Sequence, residues 1–423
     1  MTIYSWIGAV NGSWATASDW TPNGGPQTVT TFPYNSNDDA VFATGGRAHY
    51  TVTTGGQSAS LRVSGDHVTF DHFNNNDGGY GGSLVVNAGA DLTVSSTSSL
   101  DYFAHDGYGG GVIDVDHARM TDYGSLSGYG GTIGAGGILT LSGASASLVA
   151  LAGMDIAAGG MMTISGGASY QVYTAPPPNV LAGVLKVTGP GSSASLVSVD
   201  GTGTVEAYNH ATIDVYTTTT GSLDFILGNY AGLEFGGAVA PGARIDFAGQ
   251  HGAMTLNSDP GHPALGYAMG GVISDFAQTD ALLLDGTPVT QVLYTAGAGG
   301  AGSLKLFDGH AAVGTLAIAG NYAGHRFAVT QVSATESRIT ERPITPLARL
   351  SEALTAAIAE LKSDPAHLGS ILAGLTGLLP PVLDGDAWQA GASSEHPLAM
   401  AAYSVIHPSG NDALPTPLPM LHA

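Results

Sequence analysis

Leu61-Arg62-Val63, Leu84-Val85-Val86, Ile113-Asp114-Val115, Leu139-Thr140-Leu141, Met162-Thr163-Ile164, Leu185-Lys186-Val187, Val205-Glu206-Ala207, Leu223-Asp224-Phe225 and Ile245-Asp246-Phe247 restate one short phrase between Ser60 and Phe247. Each is an apolar-x-apolar triplet, followed by a Gly/Ser/Asn-rich turn and another alternating run. Such alternation marks a half-buried strand, with Val, Leu, Ile, Ala and Met inward and Thr, Ser, Asp and Lys outward. The recurrence, at roughly 18 to 29 residues, falls where repeats mean stacked structural rungs. Linking segments such as Asn74-Asn75-Asn76-Asp77-Gly78-Gly79 and Gly107-Tyr108-Gly109-Gly110-Gly111 supply corner residues that tolerate left-handed backbone. A sandwich of antiparallel hairpins uses the same alphabet, so it is the repetition that selects an all-β fold, a right-handed parallel β-helix or β-solenoid.

Composition agrees. Of 423 residues 43% are hydrophobic and only 10% charged, with 63 glycines, which allows a large core with frequent turns and argues against a disordered chain. Thirty-three acids against 11 bases leave a net charge of −22, which argues against nucleic-acid binding because no cationic surface replaces the phosphate counterions. The chain has no cysteine and needs no disulfide, which suits export and cytosol alike. The opening Met1-Thr2-Ile3-Tyr4-Ser5-Trp6 lacks the basic and apolar regions of a cleavable secretory peptide. The most apolar long stretch, Leu368 to Val382, is broken by Gly and Pro and too short to cross a bilayer.

Four segments are expected. Residues 1–58 form an aromatic N-terminal cap, 59–258 the solenoid repeats, 259–342 a C-terminal β module, and 343–423 a helical hairpin with a Pro-rich tail. In the first, Trp6, Trp14 and Trp20 crowd into 20 residues. They read as a hydrophobic plug over the end of the solenoid, with Trp14 and Trp20 as the candidate ligand-binding platform of the competing reading, a sugar site. The order Trp6-Ile7-Gly8, Gly12-Ser13-Trp14, Asp19-Trp20, Asp38-Asp39-Ala40-Val41-Phe42 and Tyr50-Thr51-Val52-Thr53 resembles the beginning of repetitive, secreted β-solenoids of bacterial surfaces, adhesin-like and autotransporter-passenger-like. Further on, Ile273-Ser274-Asp275-Phe276 and Asp280-Ala281-Leu282-Leu283-Leu284-Asp285-Gly286 resemble the C-terminal β modules of proteins exported by type I secretion. The resemblance implies an extracellular or cell-surface location without a cleavable N-terminal signal.

In the last segment Thr345-Pro346 is an N-cap followed by proline, and Leu347, Leu350, Leu354, Ile358 and Leu361 share one helical face. Ser363-Asp364-Pro365 opens a second helix carrying Leu368, Ile371, Leu372 and Leu375, completing a hairpin.

No catalytic constellation emerges. Asp114, Asp116, Asp200, Asp214, Asp224 and Asp246 could form an outward acid strip of the kind polysaccharide-cleaving solenoids use. Gln250-His251-Gly252 echoes the G-H-G element of pectin hydrolases, but its N-T-D, D-D and R-x-K companions are missing. Calcium has candidate ligands in Asp38, Asp39, Asp77, Asp114, Asp116, Asp275 and Asp280, though none repeats at nonapeptide spacing. Isolated Asn/Asp turns of this kind are more often Asx-turns. The 14 histidines show no paired zinc spacing. The expectation is a non-enzymatic extracellular subunit that self-associates head to tail into a filament or layer. A monomeric adhesin or module binding a surface polysaccharide is its nearest rival.

Overall fold

The computed structural model describes residues 2–8, 11–23, 32–44, 49–76, 82–102, 111–174, 178–257, 269–322 and 324–344. By contacts the chain divides into Met1–Pro343 and Ile344–Ala423, and the expected helical hairpin lies outside the described residues from 345 onward.

The described chain winds through three long sheets of 10, 15 and 12 strands, here sheets one, two and three. Turns from Gln57 to Gly201 place one strand in each sheet: Gln57–Ser64, His67–Asp71 and Asn74–Asn76 make one, and Ser83–Asn87, Asp91–Val94 and Ser99–Asp101 the next. Among the described residues, sheet one gains no strand after Val199–Gly201, and later turns continue in sheets two and three. Stacked strands are parallel and in register. Leu139 lies between Met120 and Met162, and Leu148 between Leu126 and Tyr170. Alternation does the rest, since Ile138–Ser142 buries Leu139 and Leu141 and leaves Thr140 half-buried on the outer face. A slip of one residue would turn every leucine to water, and burying each side chain is worth about 1.5–3 kcal/mol.

The uneven repeat spacing has a geometric cause. The triplets at Leu61, Leu84 and Ile113 lie in sheet one, whereas those from Leu139 onward lie in sheet two. The phrase changes sheet between Ile113 and Leu139, so its spacing mixes a full turn with a step between sheets.

Corners bury polar side chains that take up the backbone N–H groups freed where strands end. Thr44 N–H donates to Asp66 (2.7 Å), Phe73 N–H to Ser98 Oγ (3.0 Å) and Gly124 N–H to Asp122 (2.9 Å). Asp280 accepts from both Gly252 and Ala277, each at 2.9 Å.

The parallel stack begins earlier than residue 59. Thr2–Trp6 pairs in parallel with Tyr34–Phe42, and Asn11–Ser13 with His49–Thr53, so the aromatic segment is itself the first turn. Trp20–Pro22 then closes sheet one by lying antiparallel on Thr2–Trp6. Trp6, Trp14, Trp20, Phe42 and Phe73 fill this end, with Trp14 and Trp20 centroids 4.8 Å apart and Trp14 and Phe73 5.1 Å apart. Gly56 lets the Trp14 ring in, since a methyl there would stand 1.9 Å from the indole nitrogen.

The other end also carries antiparallel strands, joined to sheet two through the parallel pairing of Ala311–Ala319 with Val272–Ser274 and to sheet three through an antiparallel one. The last parallel turn runs through Val272–Ser274 and Ala281–Asp285, past the expected boundary at 258. Gln291–Ala296, Ala301–Asp308 and Ala311–Ala319 then form a meander on sheet two, and His325–Gln331 with Ser337–Pro343 a hairpin on sheet three. The alternating runs Ser303 to Phe307, Gly314 to Ile318 and Phe327 to Gln331 lie in the second, third and fourth of these five strands.

Candidate functional site

The residues singled out from sequence do not converge. Trp14 and Trp20 have 0% of their surface exposed, and their indole N–H groups donate to Pro33 O (2.8 Å) and Trp14 O (2.9 Å). No ring face is open to a sugar, so these two belong to the plug and not to a surface platform. The acid strip is dispersed: Asp114, Asp116 and Asp200 lie on sheet one, Asp224 and Asp246 on sheet two, and Asp214 on sheet three. On sheet one Asp114, Asp155 and Asp200 do share an outward row, but Thr132 and Val180 separate them by two strand spacings, about 10 Å.

The calcium candidates are likewise apart. Asp38 is buried with Oδ2 unpartnered, while Asp39 accepts from Ser60 Oγ at 2.6 Å. Asp114 accepts from Thr132 N–H (3.1 Å), and burial holds its carboxyl above the usual range. Asp116 contacts His117 Nδ1 (2.9 Å). Asp280 is committed to its corner, whereas Asp275 faces Asp246, whose carboxyl is raised by burial first and by Asp275 second. Asp77 lies outside the described residues. Among the described residues no three His, Asp or Glu side chains converge as a metal site would require.

A different surface has the continuity of a site. On the outer face of sheet two, Thr51, Thr69, Thr93, Thr121, Thr140 and Thr163 occupy one row across six successive strands. Their neighbours stand one strand spacing away, about 4.8 Å. None of these six hydroxyls has a hydrogen-bond partner within the described protein. Threonine's β-branch restricts its χ1, so the row is stiff before any ligand arrives.

Beside it runs a second outward row of His49, His67, Asp91, Arg119, Ile138, Met161 and Val184. His49 and His67 stack with centroids 4.4 Å apart and planes 11° from parallel, and His67 Nδ1 meets Asp91 Oδ2 at 2.8 Å. These residues, with Thr69, Thr93, Thr121 and Arg119, line a groove of about 340 Å³. Farther along, the same neighbouring row becomes apolar at Ile138, Met161 and Val184, and the threonine row ends at Lys186, paired with Glu206 at 3.4 Å.

Sheet three carries a contrasting row, Ser99, Ser125, Ser147, Ser169 and Ser193. Here hydroxyls are partly spent within the protein, Ser99 donating to Asn74 Oδ1 (2.9 Å) and Ser147 to Ser125 Oγ (3.4 Å).

None of the groove residues stood out in the sequence. The signal was the central Thr of His49-Tyr50-Thr51-Val52, His67-Val68-Thr69-Phe70, Asp91-Leu92-Thr93-Val94 and Arg119-Met120-Thr121-Asp122, visible only when strands of one sheet are aligned with one another. No family model matches the chain, and no curated protein is similar to it. No helix among the described residues is long and apolar enough to cross a membrane.

Proposed function

We propose that the chain is a non-enzymatic, extracellular surface solenoid that binds a polysaccharide lengthwise along the outer face of sheet two. The carrying observation is the row of six threonine hydroxyls without internal partners. A sugar chain offers hydroxyls along its edges and C–H groups on its ring faces. The threonine row meets the first, and the adjoining Ile138, Met161 and Val184 row meets the second. A rigid, pre-formed strip lowers the ordering cost that weakens binding by flexible surfaces. The coil is taken as right-handed, the hand of nearly all parallel crossover connections.

This favours the adhesin reading over head-to-tail polymerisation. A filament needs complementary ends, and the described solenoid carries antiparallel strands over aromatic packing on sheet one at its start and on sheets two and three at its close. Affinity electrophoresis through gels containing xylan, glucomannan or galactan tests the proposal, with negative-stain microscopy of the same sample. Retardation by at least one polymer, with single rods on the grid, is expected. Unretarded migration in every gel, with ordered fibres on the grid, would overturn it in favour of a filament subunit.

A further inference from the structure

We propose that the groove in sheet two takes a sugar carboxylate, a uronic-acid residue set in a largely neutral glycan, and that Arg119 selects it. The inference rests on the polysaccharide reading above and narrows it to a ligand class. Arg119 follows Asp91 in the outward row, one strand spacing on. Asp91 is already engaged by His67. Arg119 makes no ion pair or side-chain hydrogen bond among the described residues, in a chain with three times as many acids as bases. An unpaired guanidinium in a groove presents a planar fork of donors that matches a carboxylate in bidentate fashion. The Thr93 and Thr121 hydroxyls line the same groove and are free to bond the sugar that bears it. The stacked imidazoles of His49 and His67 form the adjoining wall.

Charge also limits the ligand. A net charge of −22 repels a polyanion lying along the rod, where it would meet Asp71, Glu206 and Asp246 on this same sheet. A single carboxylate held at Arg119 is screened from most of that field, because the Debye length is about 8 Å at physiological ionic strength. Sparse carboxylates in a neutral backbone therefore fit, and a continuous polyuronate does not.

Calorimetric titration decides this with three probes of matched length: a xylan oligosaccharide bearing one glucuronate, the same oligosaccharide with its carboxyl reduced to the alcohol, and an oligogalacturonate. The single-acid probe is expected to bind at least about tenfold more tightly than its reduced form, the gain of one charge-assisted pair. Arg119→Gln should erase that difference between the two probes, and Arg119→Lys should keep only part of it. Equal affinity for the acidic and reduced probes, or an advantage that survives Arg119→Gln, would overturn the inference and leave polysaccharide binding standing. Tightest binding to the oligogalacturonate would overturn the sparse-carboxylate assignment. No binding of any probe, together with unretarded migration in the gels, would remove both readings.

Discussion

The two faces of sheet two obey different rules. Along one inner row the residues run Val52, Phe70, Val94, Asp122, Leu141, Ile164 and Val187, changing size at almost every step and admitting one acid. Along the adjacent outer row the side chain is threonine six times running. Packing asks for filled volume and accepts many residue combinations. A solvent-facing strand position asks for less, since Val, Ile, Tyr and Thr all suit it. The serine row of sheet three is equally uniform, but its hydroxyls partly satisfy one another, whereas uniform threonines whose hydroxyls have no partner among the described residues point to a constraint from outside the fold.

The inner face should break first at its one exception. Asp122 has 0% exposure, one oxygen on Gly124 N–H and the other unpartnered, and burial pushes its carboxyl up to about 7. Between pH 4 and 7 the unfolded chain releases this proton while the folded chain retains it. Stability contributed by this residue is therefore complete below pH 4, falls as pH rises through 7, and levels off beyond. The loss is roughly 4 kcal/mol across that window. Asp122→Asn keeps an acceptor for Gly124, so it should flatten the dependence and stabilise the protein at pH 8; denaturant melts at pH 5 and pH 8 measure both. A wild-type stability that does not change between these pH values would remove the argument.

Next in size, Met162→Ala empties a site with 0% exposure between Leu139 and Leu185 and should cost about 3 kcal/mol by chemical denaturation. Removing the corner carboxylate in Asp280→Ala orphans the buried Gly252 N–H and releases that of the exposed Ala277, and should cost about 2 kcal/mol. Smallest is Thr163→Val, one residue from Met162 but outward, for which a change within about 0.5 kcal/mol is expected. Were Thr163→Val to cost as much as Met162→Ala, the threonine row would be a structural device and the contrast between faces would fail.

The architecture was legible in the sequence because hydrophobic alternation is dictated by the core, and Leu139-Thr140-Leu141 has one stable orientation in a sheet. The N-terminal plug was legible for the same reason: three tryptophans in 20 residues need burial. The outer rows were not. Assigning Thr69 and Thr140 to one row requires knowing that His67–Asp71 and Ile138–Ser142 share a sheet, and the most regular triplets crossed from sheet one to sheet two. Carboxylates drew attention in the sequence because acids are chemically conspicuous, yet Asp280 is buried at a corner, and the most perturbed acid, Asp122, was not among those that stood out. Arg119, an ordinary outward strand residue, gains its interest only from a neighbour 28 positions earlier, Asp91, being already paired.

The threonine row should bind and the serine row should not. This difference is tested most directly by comparing two triple variants in a gel containing whichever polysaccharide retards the wild-type chain. One carries Thr93→Val, Thr121→Val and Thr140→Val; the other carries Ser125→Ala, Ser147→Ala and Ser169→Ala. Both should melt within a few degrees of wild type, with retardation abolished in the threonine variant and kept in the serine variant. Equal retardation of the two variants, with both folded, would contradict that expectation.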